Sequence, residues 1–126
     1  MRANSRVFAF KIIFAHLFGS DAAETEKVVL EEEKLSEKEL NFANEIVGAF
    51  MENRYHISKE IDEMLERYHQ DRLYKVDLAL IYLAMTEIKY IKTPKPVVVN
   101  EALEIAKKFS TENSSKFING VLAKIN

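Results

Sequence analysis

Two stretches of this chain carry residue types that could hold a polyanion, and neither carries the types that break bonds. Asn113, Ser114, Lys116 and Phe117 stand where a polar turn meets a new apolar pattern. At the start of a helix, unsatisfied backbone donors and the positive dipole end can hold a phosphate, and a nearby aromatic ring can stack on a base. The same residues also have an ordinary use. Asn113 or Ser114 caps the helix, Lys116 is a solvated charge, and Phe117 packs inward in line with Val121. The second stretch is the N-terminus, where Arg2, Arg6 and Lys11 occur with no acid among residues 1–20. Arg2 and Arg6, four apart, share one side of a helix or its lead-in, as phosphate ligands or as plain surface charge.

Asn119-Gly120 follows directly. An Asn-Gly pair signals a turn, yet Phe117, Val121, Leu122 and Ile125 keep a helical spacing through it. A glycine there costs about 1 kcal/mol relative to alanine, so close approach of another backbone or of a ligand is expected at Gly120.

Enzyme chemistry has no residues to stand on. The chain has no cysteine, which excludes disulfides, thiolate zinc sites and cysteine nucleophiles. His16, His56 and His69 are too scattered for a helical ligand pair, so neither a metal nor a cofactor is expected. Glu101, Glu104, Lys107 and Lys108 resemble a cluster, but Glu104 and Lys108 have the spacing of an ordinary exposed helix pair. No nucleophile, base and orienting group converge, and there is no Gly-rich phosphate loop.

The elements that must position these residues are helices. Only three glycines and two prolines punctuate 126 residues, and no strand-like alternation occurs outside Val97 to Val99. The first helix is expected to be capped by Asn4 or Ser5, to bury Val7, Phe10, Ile13, Phe14 and Leu17, and to stop at Gly19. A short acidic helix spans about Ala22 to Leu30. Ser36-x-x-Glu39 is a capping box launching a third helix through about Met51, with Leu40, Ala43, Ile46, Val47 and Phe50 inward. After a polar break at Asn53-Arg54, a fourth buries Ile57, Ile61, Met64, Leu65 and Tyr68. The segment from Lys75 to Tyr90 is apolar on nearly every side, which places it at the centre. Thr93-Pro94-Lys95-Pro96 ends it. The sixth helix runs from Val98 to Phe109, with Val99, Ala102, Leu103, Ala106 and Phe109 inward, and the seventh from Ser114 to Ile125. The expectation is one all-α domain, a bundle of about seven helices.

With 48% apolar and 30% charged residues and a net charge of −2, the composition is that of a globular protein. No apolar run approaches the ~18 residues of a membrane span and no cleavable leader is evident, so a cytoplasmic location is expected. The charge is segregated: seven glutamates fall between Glu24 and Glu39, against the acid-free N-terminus.

The run Asn100-Glu101-Ala102, Ala106-Lys107, Lys116-Phe117-x-Asn119-Gly120-x-Leu122 resembles the NusB family of bacterial antitermination factors. Arg72-Leu73, Val76-Asp77, Ala84 and Glu87 are similar to that family's central helix, and Arg6-x-x-Ala9 to its first. The resemblance implies two small helical bundles packed across each other, about residues 1–70 and 71–126, in a non-enzymatic transcription factor. It implies binding to the single-stranded boxA element of ribosomal RNA leaders, jointly with NusE, a small-subunit ribosomal protein, within the elongation complex.

The RNA contacts it implies are Arg2, Arg6, Lys11, Asn113, Ser114, Lys116 and Phe117. Its partner contacts are Phe14, where the family often has tyrosine, and Asp77, while Glu87 is structural. The chain departs from the family at Ala3, Asn4 and Ser5, where arginines are usual, and at Tyr82, which replaces a common arginine. Two other readings stand beside this one: a like-folded appendage of a ribosomal RNA methyltransferase, and an interaction module with no RNA role. The apolar first helix serves a homodimer as readily as a core.

Overall fold

The structure, a computed structural model, describes residues 2–19, 22–66 and 69–125; Tyr68, expected on an inward stripe, lies outside them. Six α-helices make up the described residues: α1 (Arg2–Leu17), α2 (Ala22–Glu33), α3 (Glu37–Leu65), α4 (Lys75–Thr86), α5 (Lys95–Phe109) and α6 (Glu112–Leu122). A 3-10 turn, Gln70–Arg72, precedes α4, and a π-turn, Glu87–Ile91, follows it. No strand occurs among the described residues, and Val97 to Val99 are helical.

The helix count falls one short of expectation because α3 runs unbroken through Asn53-Arg54. Asn53 Nδ2 donates to the Ala49 carbonyl one turn back (2.8 Å), and Arg54 Nη2 reaches out to the His16 carbonyl near the end of α1 (3.2 Å). Polarity without glycine or proline does not interrupt a helix. The buried stripe Phe42, Ile46, Phe50, Ile57, Ile61, Leu65 also stays in phase across that pair. The expected capping box is present in full, Glu39 N–H to Ser36 Oγ (3.2 Å) and Ser36 N–H to Glu39 Oε1 (3.0 Å).

The start of α1 differs from expectation. The helix already includes Arg2, and Ser5 is fully buried, its hydroxyl donating to the Glu39 carbonyl at 2.7 Å. Neither Asn4 nor Ser5 caps it. Gly19, at φ +83°, follows its end as anticipated. The one-stripe reading of α1 missed Phe8 and Ile12, which form a second small core with Val29 of α2 and Ala43 of α3.

Central placement of the most apolar segment holds. Helix α4 packs on α1, α3, α5 and α6, and every residue from Asp77 to Thr86 is buried. Each fully buried Leu or Ile there contributes about 1.5–3 kcal/mol. Tyr82 donates its hydroxyl to Gln70 Oε1 (2.7 Å), while Gln70 Nε2 donates to the Ser58 carbonyl (2.9 Å) and Asp62 Oδ1 (2.8 Å). That network ties the 3-10 turn to α3 without an ion pair.

The last two helices start earlier than expected. Pro96 sits in the first turn of α5, where its missing N–H leaves no bond unmade. Thr111, rather than Asn113 or Ser114, occupies the cap of α6.

Candidate nucleic-acid interface

The α5–α6 corner is held from inside by one carboxylate. Asp77, in the first turn of α4, is 5% exposed and accepts from Ser110 Oγ on Oδ1 (2.7 Å) and from Ser114 Oγ on Oδ2 (3.1 Å). The Ser110 and Ser114 hydroxyl oxygens lie 2.6 Å apart beneath it. The helix dipole favours a negative charge at that position, so the clamp is stabilised from both ends. Two expected roles change. Asp77 is an internal brace rather than a partner-facing group, and Ser114, equally buried, has its hydroxyl engaged inside rather than offered to a phosphate.

What the clamp presents is the outer face of α6. Asn113 and Lys116 are exposed and Phe117 is half-buried. Phe117, Lys116, Gly120 and Lys124 line a shallow groove of about 260 Å³ against Met64 and Leu65 at the end of α3. Among the described residues nothing provides the close neighbour expected at Gly120: a Cβ there would meet nothing within 4 Å.

The three N-terminal cations have separate fates. Arg2 is exposed and lies over the Phe42 ring, 4.2 Å from its centroid. Arg6 is buried at 4% exposure, its Nε 2.9 Å from both Glu87 oxygens and its Nη2 2.5 Å from Oε1. Thr93 Oγ1 adds a bond to Oε1 at 3.0 Å. Arg6 is therefore a structural ion pair with the π-turn, not a ligand for RNA, and Glu87 is structural as expected. Lys11, half-buried, bridges Glu32 (3.2 Å) and Glu33 (2.8 Å). Burial pushes its ammonium pKa down, but the hydrogen bonds and charges of Glu33 and Glu32 outweigh that and hold it above its ordinary value.

The expected RNA residues thus do not form one patch. Arg2 sits beside Phe42 and the Phe117 groove beside Leu65, a separation of about 34 Å along α3 at 1.5 Å per residue.

Phe14 is half-buried rather than core. It stacks between Phe10 and Phe18, with ring centroids 6.3 and 4.9 Å away, and lines an apolar groove with Phe10, Val28, Val29, Val76 and Phe109. Val28 and Phe109 are 49% and 38% exposed, more than a core residue would be. Phe109 was expected to point inward, and Val28, on the weakly patterned α2, drew no notice. Lys124 was also missed, though it follows Lys116 and Gly120 at four-residue spacing. Phe109 in the groove is followed in the chain by Ser110 of the Asp77 clamp, so groove and clamp meet at the end of α5.

Comparison with known proteins agrees with this architecture. The model of the NusB family matches residues 3–126. The transcription antitermination protein NusB of Pediococcus pentosaceus is 39% identical over 127 residues, covering 98% of this chain and 96% of its own. The solved T. maritima NusB shares 34% identity over 98% of this chain and 89% of that one, with a TM-score of 0.87. A chain from a crystal structure of the antitermination factors NusB and NusE in complex with double-stranded RNA shares 28% identity over 97% and 92%, with a TM-score of 0.81.

Proposed function

The chain belongs to the NusB family, and on that premise we propose that it is a non-enzymatic, cytoplasmic antitermination factor that binds boxA-type single-stranded RNA jointly with NusE. The observation that carries this reading is the meeting of two unlike features at the end of α5. An apolar groove fit for a protein ends at Phe109, the next residue belongs to the clamp beneath a polar corner fit for a polynucleotide, and Asp77 holds that corner in place.

Each surface alone is modest. Arg2, Lys11 and Lys116 are the proposed phosphate contacts, with Asn113 donating hydrogen bonds and Phe117 stacking. If all three cations neutralise phosphates, log affinity falls with log salt at a slope of about −2, from ~0.7 per charge on a single strand. A partner seated against Phe14 contributes its own RNA contacts at high effective concentration, so affinity belongs to the pair. Single-stranded RNA suits this site because a half-buried ring can stack only on a base whose face is free, and A-form duplexes hide those faces.

The test is fluorescence titration of a boxA oligonucleotide, single-stranded and paired with its complement, with and without NusE. Tighter single-strand binding on adding NusE is the expected result. No gain from NusE, or equal binding of the duplex, would end the proposal in this form.

A further inference from the structure

Helix α2 is the least anchored element of the fold. It packs on α1 and on no other helix to a comparable extent. Val29 is the one buried side chain described on it, whereas every other α-helix buries at least four residues. Charge supplies the remaining hold. Lys11 of α1 reaches Glu33 at 2.8 Å and Glu32 at 3.2 Å, both in the last turn of α2. The Lys11 and Glu33 side chains are only 24% and 17% exposed, so salt screens this contact less than an open surface pair.

Two functions meet on one face of this helix. Thr25, Val28, Val29 and Glu32 recur at three- and four-residue spacing, and all four line the apolar groove opposite Phe14 and Phe109. Whatever enters the groove presses on the face that also holds Lys11. The Lys11 ammonium lies 5.7 Å from the Phe109 ring centroid, and Phe109 is the residue before Ser110 of the Asp77 clamp. An ammonium released from Glu32 and Glu33 is therefore already at the end of α5, where groove and clamp meet.

We propose that Glu32 and Glu33 make an autoinhibitory contact: they occupy Lys11 as an RNA phosphate would, and a partner seated in the groove moves α2 aside and frees the ammonium for RNA. The inference rests on the RNA and NusE reading above and adds the regulation of one of its contacts. In the free protein a phosphate must displace two carboxylates to reach Lys11, which lowers the apparent affinity by the fraction of molecules with the latch closed. With the partner bound that competition is gone. The coupling is reciprocal, so RNA held by Lys11 favours the partner by the same factor.

The experiment titrates a single-stranded boxA oligonucleotide at low salt, without NusE and at saturating NusE. The proteins are the wild type, Glu32→Gln/Glu33→Gln, the control Glu26→Gln/Glu31→Gln, and each pair combined with Lys11→Gln. The control removes the same charge from two exposed positions of α2 outside the Lys11 contact. Without NusE, Glu32→Gln/Glu33→Gln should bind RNA roughly fivefold more tightly than wild type, the low end of ordinary couplings between sites. Its salt slope should be steeper by about 0.7, and its gain on adding NusE should shrink by a similar factor of five. The control pair should change affinity less, and adding Lys11→Gln should abolish the difference between the two pairs. Equal effects of the two pairs, or a difference that survives Lys11→Gln, overturns the latch while leaving the RNA reading intact. If the wild type itself retains no RNA with NusE present, the latch and the RNA reading fall together.

Discussion

Replacing Arg6 by alanine removes three of the four side-chain hydrogen bonds around the Glu87 carboxylate and leaves only the Thr93 hydroxyl. The side chains of the pair are 5% and 1% exposed, so water does not readily replace the guanidinium. Removing one partner of a buried pair costs about 3–5 kcal/mol. Unfolding 126 residues releases roughly 0.26 kcal/mol per kelvin, at ~2.1 cal/mol/K per residue, so the melting temperature should fall by about 11–19 °C. Glu87→Ala should cost a similar amount. The double variant Arg6→Met/Glu87→Leu should recover most of the loss, because apolar groups of similar volume carry no stranded charge.

Urea and thermal unfolding of the wild type, Arg6→Met, Glu87→Leu and the double variant give the coupling energy directly. RNA affinity supplies an independent arm: the folded double variant should bind RNA as wild type does, since Arg6 faces the interior. A single Arg6→Ala loss below about 1 kcal/mol, or a coupling near zero, would refute the buried-pair argument. A collapse of RNA binding in the stable double variant would return Arg6 to the interface.

Two further outcomes follow from the surface and from titration. Val28→Asp, on the exposed lip of the Phe14 groove, should leave stability within about 0.5 kcal/mol yet remove the gain in RNA affinity on adding NusE; undiminished gain would place the partner elsewhere. Burial, then the nearby Arg54 charge, hold the His16 imidazole below its ordinary pKa despite the opposing pull of Glu26. As pH falls through about 6.5, the unfolded chain takes up a proton that the native site resists, so the stability present above that pH declines towards the folded pKa. An NMR titration of His16 should show a depressed midpoint, and His16→Gln should flatten that part of the stability profile.

Much of the fold was legible because its signals are short-range. The Ser36/Glu39 box, the glycine after α1 and the two prolines around Lys95 act within a few residues of themselves. The uninterrupted apolar run in α4 reports a helix enclosed on all sides, which is why its central position could be read without coordinates. The same locality explains the misreadings at helix ends: Thr111 rather than Asn113 takes the cap because α5 and α6 are joined through Ser110 and the clamp, and a linear pattern does not register that join. The polar pair Asn53-Arg54 reads as a break, yet the apolar stripe of α3 keeps phase across it, and phase is the stronger signal.

The site was legible as a collection of residue types and not as an arrangement. Its chemistry, cations beside an aromatic ring, follows from the amino acids present. Which of those cations meets solvent depends on partners far away in sequence: Arg6 meets Glu87 across 81 residues and Ser114 meets Asp77 across 37. Periodicity marks which face of a helix is apolar but carries no record of the acid that another helix brings against it. Tertiary packing alone decided that Arg6 and Ser114 face inward, while Lys116 and Phe117 were left in reach of a ligand. The cause is the cost of burying an unpaired charge or hydroxyl, which is settled only when the distant partner arrives.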